Sequence, residues 1–272
     1  MAQADYILSI VPPRDALATA QRITTALQAT QRGRSLYYVD LNAISPGLAR
    51  KIADEFRRDA PDVKFVDGGI VGGPPRPGPD DRELNSSASA AAGPGASWTR
   101  PAIPLSGPHP LPSAHLAQLL NSSYLGPEIG SASGLKCCFA SLTKGLSALA
   151  IQSFSTAHSL GVFSELQHLL EQFQPAIHRS TTRAVTAVPP KSGRWVEEMV
   201  QIGRCFGEEG GWDNVSGTEG ADVYQRVAGV YKAVAEDTVL GKERQEHRVR
   251  GTTADDVAVA VDEALKGGPE KP

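Results

Sequence analysis

Three short apolar runs decide the fold: Tyr6-Ile7-Leu8-Ser9-Ile10-Val11, Leu36-Tyr37-Tyr38-Val39-Asp40-Leu41 and Val63-Lys64-Phe65-Val66. Each has the length and the β-branched and aromatic content of a buried strand. Between them lie stretches with helical periodicity, Arg14–Gln31 and Pro46–Arg58. The order β-α-β-α-β is that of a parallel sheet with right-handed crossovers. The punctuation agrees. Pro12-Pro13 closes the first strand, Pro46 suits the first turn of its helix, and Ser45 before it is placed to cap the free amides.

Outward from this block, Pro74–Pro101 shifts to Pro, Gly, Ala and Ser, and Ser86–Gly95 carries too little apolar surface to offset its ordering entropy. A flexible insertion is expected at residues 78–100. A further strand is predicted at Ile103–Ser106 and a helix at Ser113–Leu120. From Gly134 onward strand patterns stop, and Leu135, Phe139, Leu142, Leu146 and Leu149 draw one apolar stripe along a long helix. More helix is read at Gly161–Phe173, Gly193–Phe206 and Asp222–Thr238, with a frayed tail from Gly267. The expected fold is α/β, a partial Rossmann-type parallel sheet over residues 1–129, followed by an all-α C-terminal domain over residues 130–272.

Composition narrows the partners. In 272 residues, 40% are hydrophobic, 21% are charged and the formal net charge is -3. No basic excess attracts a phosphate backbone, so no nucleic-acid partner is expected. The run Tyr6–Val11 is too short for a signal or membrane segment, so the reading is cytoplasmic with no membrane partner. Three cysteines, Cys137, Cys138 and Cys205, give neither a disulfide framework nor, with six scattered histidines, a zinc pattern. No metal site is expected.

Four segments, in this order, resemble the 6-phosphogluconate dehydrogenase-like superfamily, which includes the 3-hydroxyisobutyrate and other β-hydroxyacid dehydrogenases. They are Ile7–Pro13, Val39–Pro46, Phe65–Gly73 and Gly130–Lys136. Lys144–Leu149 and Arg194–Met199 are similar to the helical C-terminal domain of its phosphogluconate dehydrogenase-type branch. The resemblance implies hydride transfer between NAD or NADP and a small hydroxyacid-like substrate, and a homodimer paired through the helical half.

On that resemblance Lys136 matches the catalytic acid/base. A lysine near the start of a buried helix is expected to be desolvated and to feel the positive helix end, both suited to proton exchange with a hydroxyl. The alternative is an ordinary solvated lysine. The family's asparagine one turn on is replaced by Ala140, leaving Thr143 and Lys144 as candidate substrate contacts. The loop Gly68-Gly69-Ile70-Val71-Gly72-Gly73 is not a dinucleotide fingerprint, because Pro74-Pro75 prevents a helix from opening after it. It resembles the family's substrate loop, with the Gly72 and Gly73 amides as carboxylate donors, or else it is a tight structural turn. Val11, Pro12, Asn42 and Ala43 match positions bordering the nicotinamide ribose, or else are strand-end turn residues.

No G-x-G-x-x-G motif precedes the first strand, so the chain resembles an N-terminally truncated member, impaired in classical dinucleotide binding, with NAD or NADP implied by family and none held by this chain as the alternative. An uncovered sheet edge adds to the expectation of a homodimer. Three functions stay open: an NAD(P)-dependent oxidoreductase of the CH-OH class, a redox-silent lyase, isomerase or cyclase using Lys136 for proton transfer, and a non-catalytic homodimeric binding protein.

Overall fold

The computed structural model describes residues 3–28, 33–78, 98–214, 220–243 and 245–267. The chain divides into two compact units, one formed by residues 1–11 and 15–136, the other by 12–14 and 137–272.

In the first unit the strands are β1 (Tyr6–Ser9), β2 (Leu36–Asp40), β3 (Val63–Gly68), a short pair β4 (Arg76–Pro77) and β5 (Trp98–Thr99), then β6 (Ile103–Ser106) and β7 (Ser122–Tyr124). Helices α1 (Ala16–Gln28), α2 (Pro46–Asp59) and α3 (Ala114–Leu119) connect them. The main sheet has five strands in the order β1-β2-β3-β6-β7. β1, β2 and β3 pair in parallel, as expected of β-α-β crossovers. The expected parallel-dominated sheet is present, with one antiparallel pair. β6 runs antiparallel to β3, so the sheet is mixed.

Alternation along the strands explains the two faces. Leu36, Tyr38 and Phe65 join Ile44, Ile52 and Phe56 beneath α1 and α2, whereas Val39, Leu41, Val66, Ile103 and Leu105 pack on the other face. The Tyr38 ring lies 4.4 Å from that of Phe56. Each such buried side chain contributes roughly 1.5–3 kcal/mol. α2 begins as its sequence requires, with Pro46 in the first turn and the Ser45 hydroxyl accepting from the Leu48 amide at 3.3 Å.

The second unit is helical, taking in α4 (Ser131–Ser159) from Cys137 onward, α5 (Phe163–Phe173), α6 (Pro175–Ala187), α7 (Ser192–Glu208), α8 (Gly220–Lys232) and α9 (Ala254–Gly267). Its core gathers Ile151, Phe154, Val185, Met199, Ile202, Tyr231 and Leu240. The apolar stripe of α4 does not belong to this core. Leu135, Phe139, Leu142, Leu146 and Leu149 are exposed, Leu142 by 77%, while the buried face is made of Cys137, Ala140, Ala148, Ile151 and Phe154. Mostly small side chains on that face allow close helix approach, so the bulky leucines turn outward. α4 is long and apolar enough to cross a membrane by length and composition alone.

The expected flexible insertion at 78–100 lies mostly outside the described residues; only its ends, including β5, are seen. The tail beyond Gly267 is likewise outside them.

Candidate active site

At the carboxyl ends of the parallel strands, register aligns one polar residue from each of four neighbours. Ser9 pairs with Asp40, Asp40 with Asp67, and Asp67 with Ser106. Partners in register project to the same face, so the four form a row, each at most 4% exposed. Two carboxylates are thus buried side by side. Burial pushes Asp40 up to about 7, the amide hydrogen bond from Asn42 opposing it and the Asp67 charge adding to it. Asp40 Oδ1 accepts from the Asn42 amide at 2.9 Å, and its Oδ2 has no partner among the described residues.

Asp67 is the better solvated of the two by protein groups. Its Oδ2 accepts from Ser106 Oγ at 2.9 Å, from the Gly130 amide at 2.9 Å and from the Ser133 amide at 3.2 Å, while Oδ1 accepts from Ser133 Oγ. Ser106 Oγ in turn accepts from the Ala132 amide at 3.0 Å. The first turn of α4 is therefore capped by side chains from β3 and β6, which satisfy amides that the helix itself cannot. Burial raises the Asp67 pKa and these donors oppose the rise.

Lys136 lies one turn beyond Ser133, half-buried, and its Nζ donates to the Ile70 carbonyl. The loop and the helix meet so closely that a Cβ on Gly69 would lie 3.0 Å from the Lys136 Cβ. Packing also explains two other glycines. A Cβ on Gly68 would lie 2.8 Å from Leu41 and Leu105 side chains, and Gly72 holds φ +116° with Pro101 Cα 3.3 Å from where its Cβ would be. Gly73 has open space around it. Gly72 and Gly73 are both exposed.

The structure thus brings Lys136 together with the loop that carries Gly72 and Gly73. It also joins Val11 and Asn42, since the Val11 amide donates to Asn42 Oδ1 at 2.7 Å. Asn42 is committed to the protein, its Nδ2 donating to Ser9 Oγ at 3.1 Å. Ala43 is half-buried in the same turn, and Pro12 is exposed.

Thr143 and Lys144 belong to the helical unit. The Thr143 hydroxyl donates back to the Phe139 carbonyl at 3.3 Å, and the side of α4 it occupies lines a groove of about 670 Å³ with Leu142, Leu146, Arg179 and Arg183. Lys144 is 8% exposed and ion-paired with Glu198, its Nζ 4.9 Å from the centroid of the Trp195 ring. Tyr231 Oη donates to the Lys144 carbonyl at 2.5 Å. Burial pushes the Lys144 pKa down and Glu198 pulls it back. Lys144 is thus committed to Glu198 inside the helical unit.

Sequence reasoning passed over Asp40, Asp67, Ser106, Ser133 and Glu198. Ser131-Ala132-Ser133 at a helix start was the one local signal, a capping composition.

Comparison with known proteins places the architecture. A conserved hypothetical protein from Sinorhizobium meliloti 1021 superposes with a TM-score of 0.60 at 18% identity, covering 97% of this chain and 76% of its own. The Mycobacterium tuberculosis 3-hydroxyisobutyrate dehydrogenase, solved with L-serine, gives 0.56 at 16% identity, over 97% of this chain and 80% of that one. The conserved protein MTH1747, of unknown function and described as similar in structure to 3-hydroxyacid dehydrogenases, gives 0.52 at 24% identity, over 84% and 74%. The chain has the 3-hydroxyacid dehydrogenase fold. Within that fold, residues 157–234 match a domain of unknown function, DUF1932, which runs from the end of α4 through α8. No curated protein matches the sequence significantly.

Three helices of this hydroxyacid dehydrogenase fold begin near the carboxyl ends of the parallel strands, and each start is already furnished. α1 is entered through Pro12-Pro13, which carry no N–H, with Asp15 in the entry turn. α2 is capped by Ser45 with Pro46 in its first turn, and α4 by Asp67. These prolines and caps reduce what the three ends can offer a phosphate.

Proposed function

We propose that this chain is an oxidoreductase-type protein of the β-hydroxyacid dehydrogenase class in which Lys136 moves a proton to or from the oxygen of a small hydroxyacid or its carbonyl counterpart. The observation that carries the reading is the meeting of Lys136 Nζ with the Ile70 carbonyl, on the loop whose next glycines are exposed. A substrate oxygen taking the place of that carbonyl would lie within proton-transfer range. The Gly72 and Gly73 amides are the natural donors to a substrate carboxylate, since the positive end of α4 is filled by Asp67.

The fold implies NAD or NADP, which would supply or accept the hydride when bound. Val11, Pro12, Asn42 and Ala43 are the residues for the nicotinamide side. The pyrophosphate fits the described residues poorly, because the three helix starts are occupied by prolines, a serine cap and an aspartate. This misfit supports weak dinucleotide binding by the chain, and it favours as second reading a proton-transfer reaction without hydride. The exposed leucine stripe of α4 supports a homodimer in which a second copy covers it.

Titration calorimetry with NADPH, and a screen of short-chain keto acids with and without it and of hydroxyacids with and without NADP+, test these readings. Turnover that needs NADPH and is lost in Lys136→Ala supports the first, and turnover without it supports the second. A low-micromolar NADPH dissociation constant would remove the argument from the helix ends.

A further inference from the structure

We propose that Asp67 is a positioning residue for Lys136: by capping α4 from the end of β3, it fixes how far the Lys136 ammonium stands from the 68–73 loop. The inference deepens the reading of Lys136 as acid/base and rests on it for its functional meaning.

Three observations converge. First, one carboxylate gathers amides and hydroxyls from both ends of the gap. Asp67 belongs to the strand that runs directly into Gly68 and Gly69, and it holds the Gly130 and Ser133 amides at 2.9 and 3.2 Å. Second, Ser106 on β6 ties the same oxygen to the Ala132 amide, so two strands together hold three amides, of Gly130, Ala132 and Ser133, in the single turn where the helix starts. Third, the spacing has no slack. Gly69 approaches the Lys136 Cβ so closely that a methyl group would sit at 3.0 Å, and Lys136 Nζ reaches the Ile70 carbonyl.

The geometry makes the loop and the lysine one body with respect to small displacements. Ser133 and Lys136 are three residues apart, on the same side of the helix, so a shift of the cap moves the lysine with it. An uncapped first turn would fray or slide, and the ammonium would leave the Ile70 carbonyl for solvent. The Asp67 charge also lies at the positive end of α4, which holds it in place without a cationic side chain.

The test reads the lysine itself and needs no substrate. Purified full-length protein is labelled with trace acetic anhydride from pH 6 to 11, and acetylation at Lys136 is quantified by peptide mass spectrometry against the exposed Lys232. In the wild type Lys136 should label slowly. In Asp67→Asn, checked for a cooperative melt, its labelling should rise roughly tenfold, the range expected on release of a charge-assisted hydrogen bond, with the pH midpoint displaced and Lys232 unchanged. A folded Asp67→Asn with an unaltered Lys136 profile overturns the proposal. Should that variant fail to fold, Ser133→Ala removes one hydroxyl donor and leaves the amides, and it should give a smaller change in the same direction. An unaltered profile there overturns the proposal equally. If labelling shifts as expected while Lys136→Ala leaves turnover untouched, positioning stands and the acid/base reading falls.

Discussion

Asp40 offers the sharpest test of the buried polar row. Its carboxyl is fully buried, beside Asp67, and its pKa is pushed from 3.8 up to about 7 by burial. A carboxyl whose folded pKa is raised binds its proton more tightly in the folded state than in the unfolded one. Its contribution is therefore most favourable below pH 3.8, declines as pH rises, and reaches its full penalty above about 7. About three units at 1.36 kcal/mol each make that penalty about 4 kcal/mol, of which roughly 2–3 kcal/mol develops between pH 5 and pH 8. Asp40→Asn keeps the acceptor for the Asn42 amide and removes the charge.

The assay is urea unfolding of both proteins at pH 5 and pH 8. Because every other group titrates in both, the difference between variant and wild type isolates Asp40 and its coupling to Asp67. The variant should gain on the wild type by roughly 2–3 kcal/mol on going from pH 5 to pH 8. A difference that stays constant with pH would refute the reasoning, since it would mean that Asp40 is ionised across this range and solvated by something other than Asn42.

Three further outcomes follow from the same geometry. Lys144→Met alone should destabilise the helical unit by up to about 3 kcal/mol, because it leaves the buried Glu198 only its longer, 3.6 Å contact to the largely exposed Arg194, whereas Lys144→Met with Glu198→Leu should recover most of that loss; chemical unfolding of the two variants checks both. Gly72→Ala should lower stability by at least about 1 kcal/mol through its positive φ, while Gly73→Ala, in open space, should leave the melting temperature unchanged. Wild-type protein should sediment as a dimer whose interface buries more than roughly 2,000 Å², and Leu142→Glu with Leu149→Glu on the exposed stripe should sediment as a monomer; a wild-type monomer at micromolar concentration would overturn the dimer.

What the sequence made legible is what short-range periodicity encodes. Tyr6–Ser9, Leu36–Asp40 and Val63–Gly68 are strands because their runs are apolar, bounded and separated by helical spacing, and α2 starts where Ser45-Pro46 says it should. Periodicity also found the stripe on α4, but it says only that leucines share a face. Which face packs depends on the neighbours, and here the small residues Cys137, Ala140 and Ala148 admit closer helices than the leucines would. The return of β6 antiparallel to β3 was hidden for a similar reason. Direction is set by where a loop leads, and the loop after Gly68 carries no pattern of its own.

The polar row lay beyond any local reading because it is a product of register. Asp40 and Asp67 are ordinary strand-end aspartates until β2 and β3 align them, and the cap on α4 joins residues 63 and 66 positions apart. The same consideration changes what the glycines of the 68–73 loop mean. In the sequence they read as a substrate loop whose own backbone comes close to the ligand, or else as a tight structural turn. In the fold, Gly68 makes room for Leu41 and Leu105, Gly69 for Lys136 and Gly72 for Pro101. Most of that loop is therefore glycine for the sake of the protein's own packing, which presses the loop against the lysine. Gly73 is the position that packing does not explain. A role for this loop in holding substrate must then be carried by the amides that packing leaves exposed, at Gly72 and Gly73, and not by the glycine content that first drew attention to it.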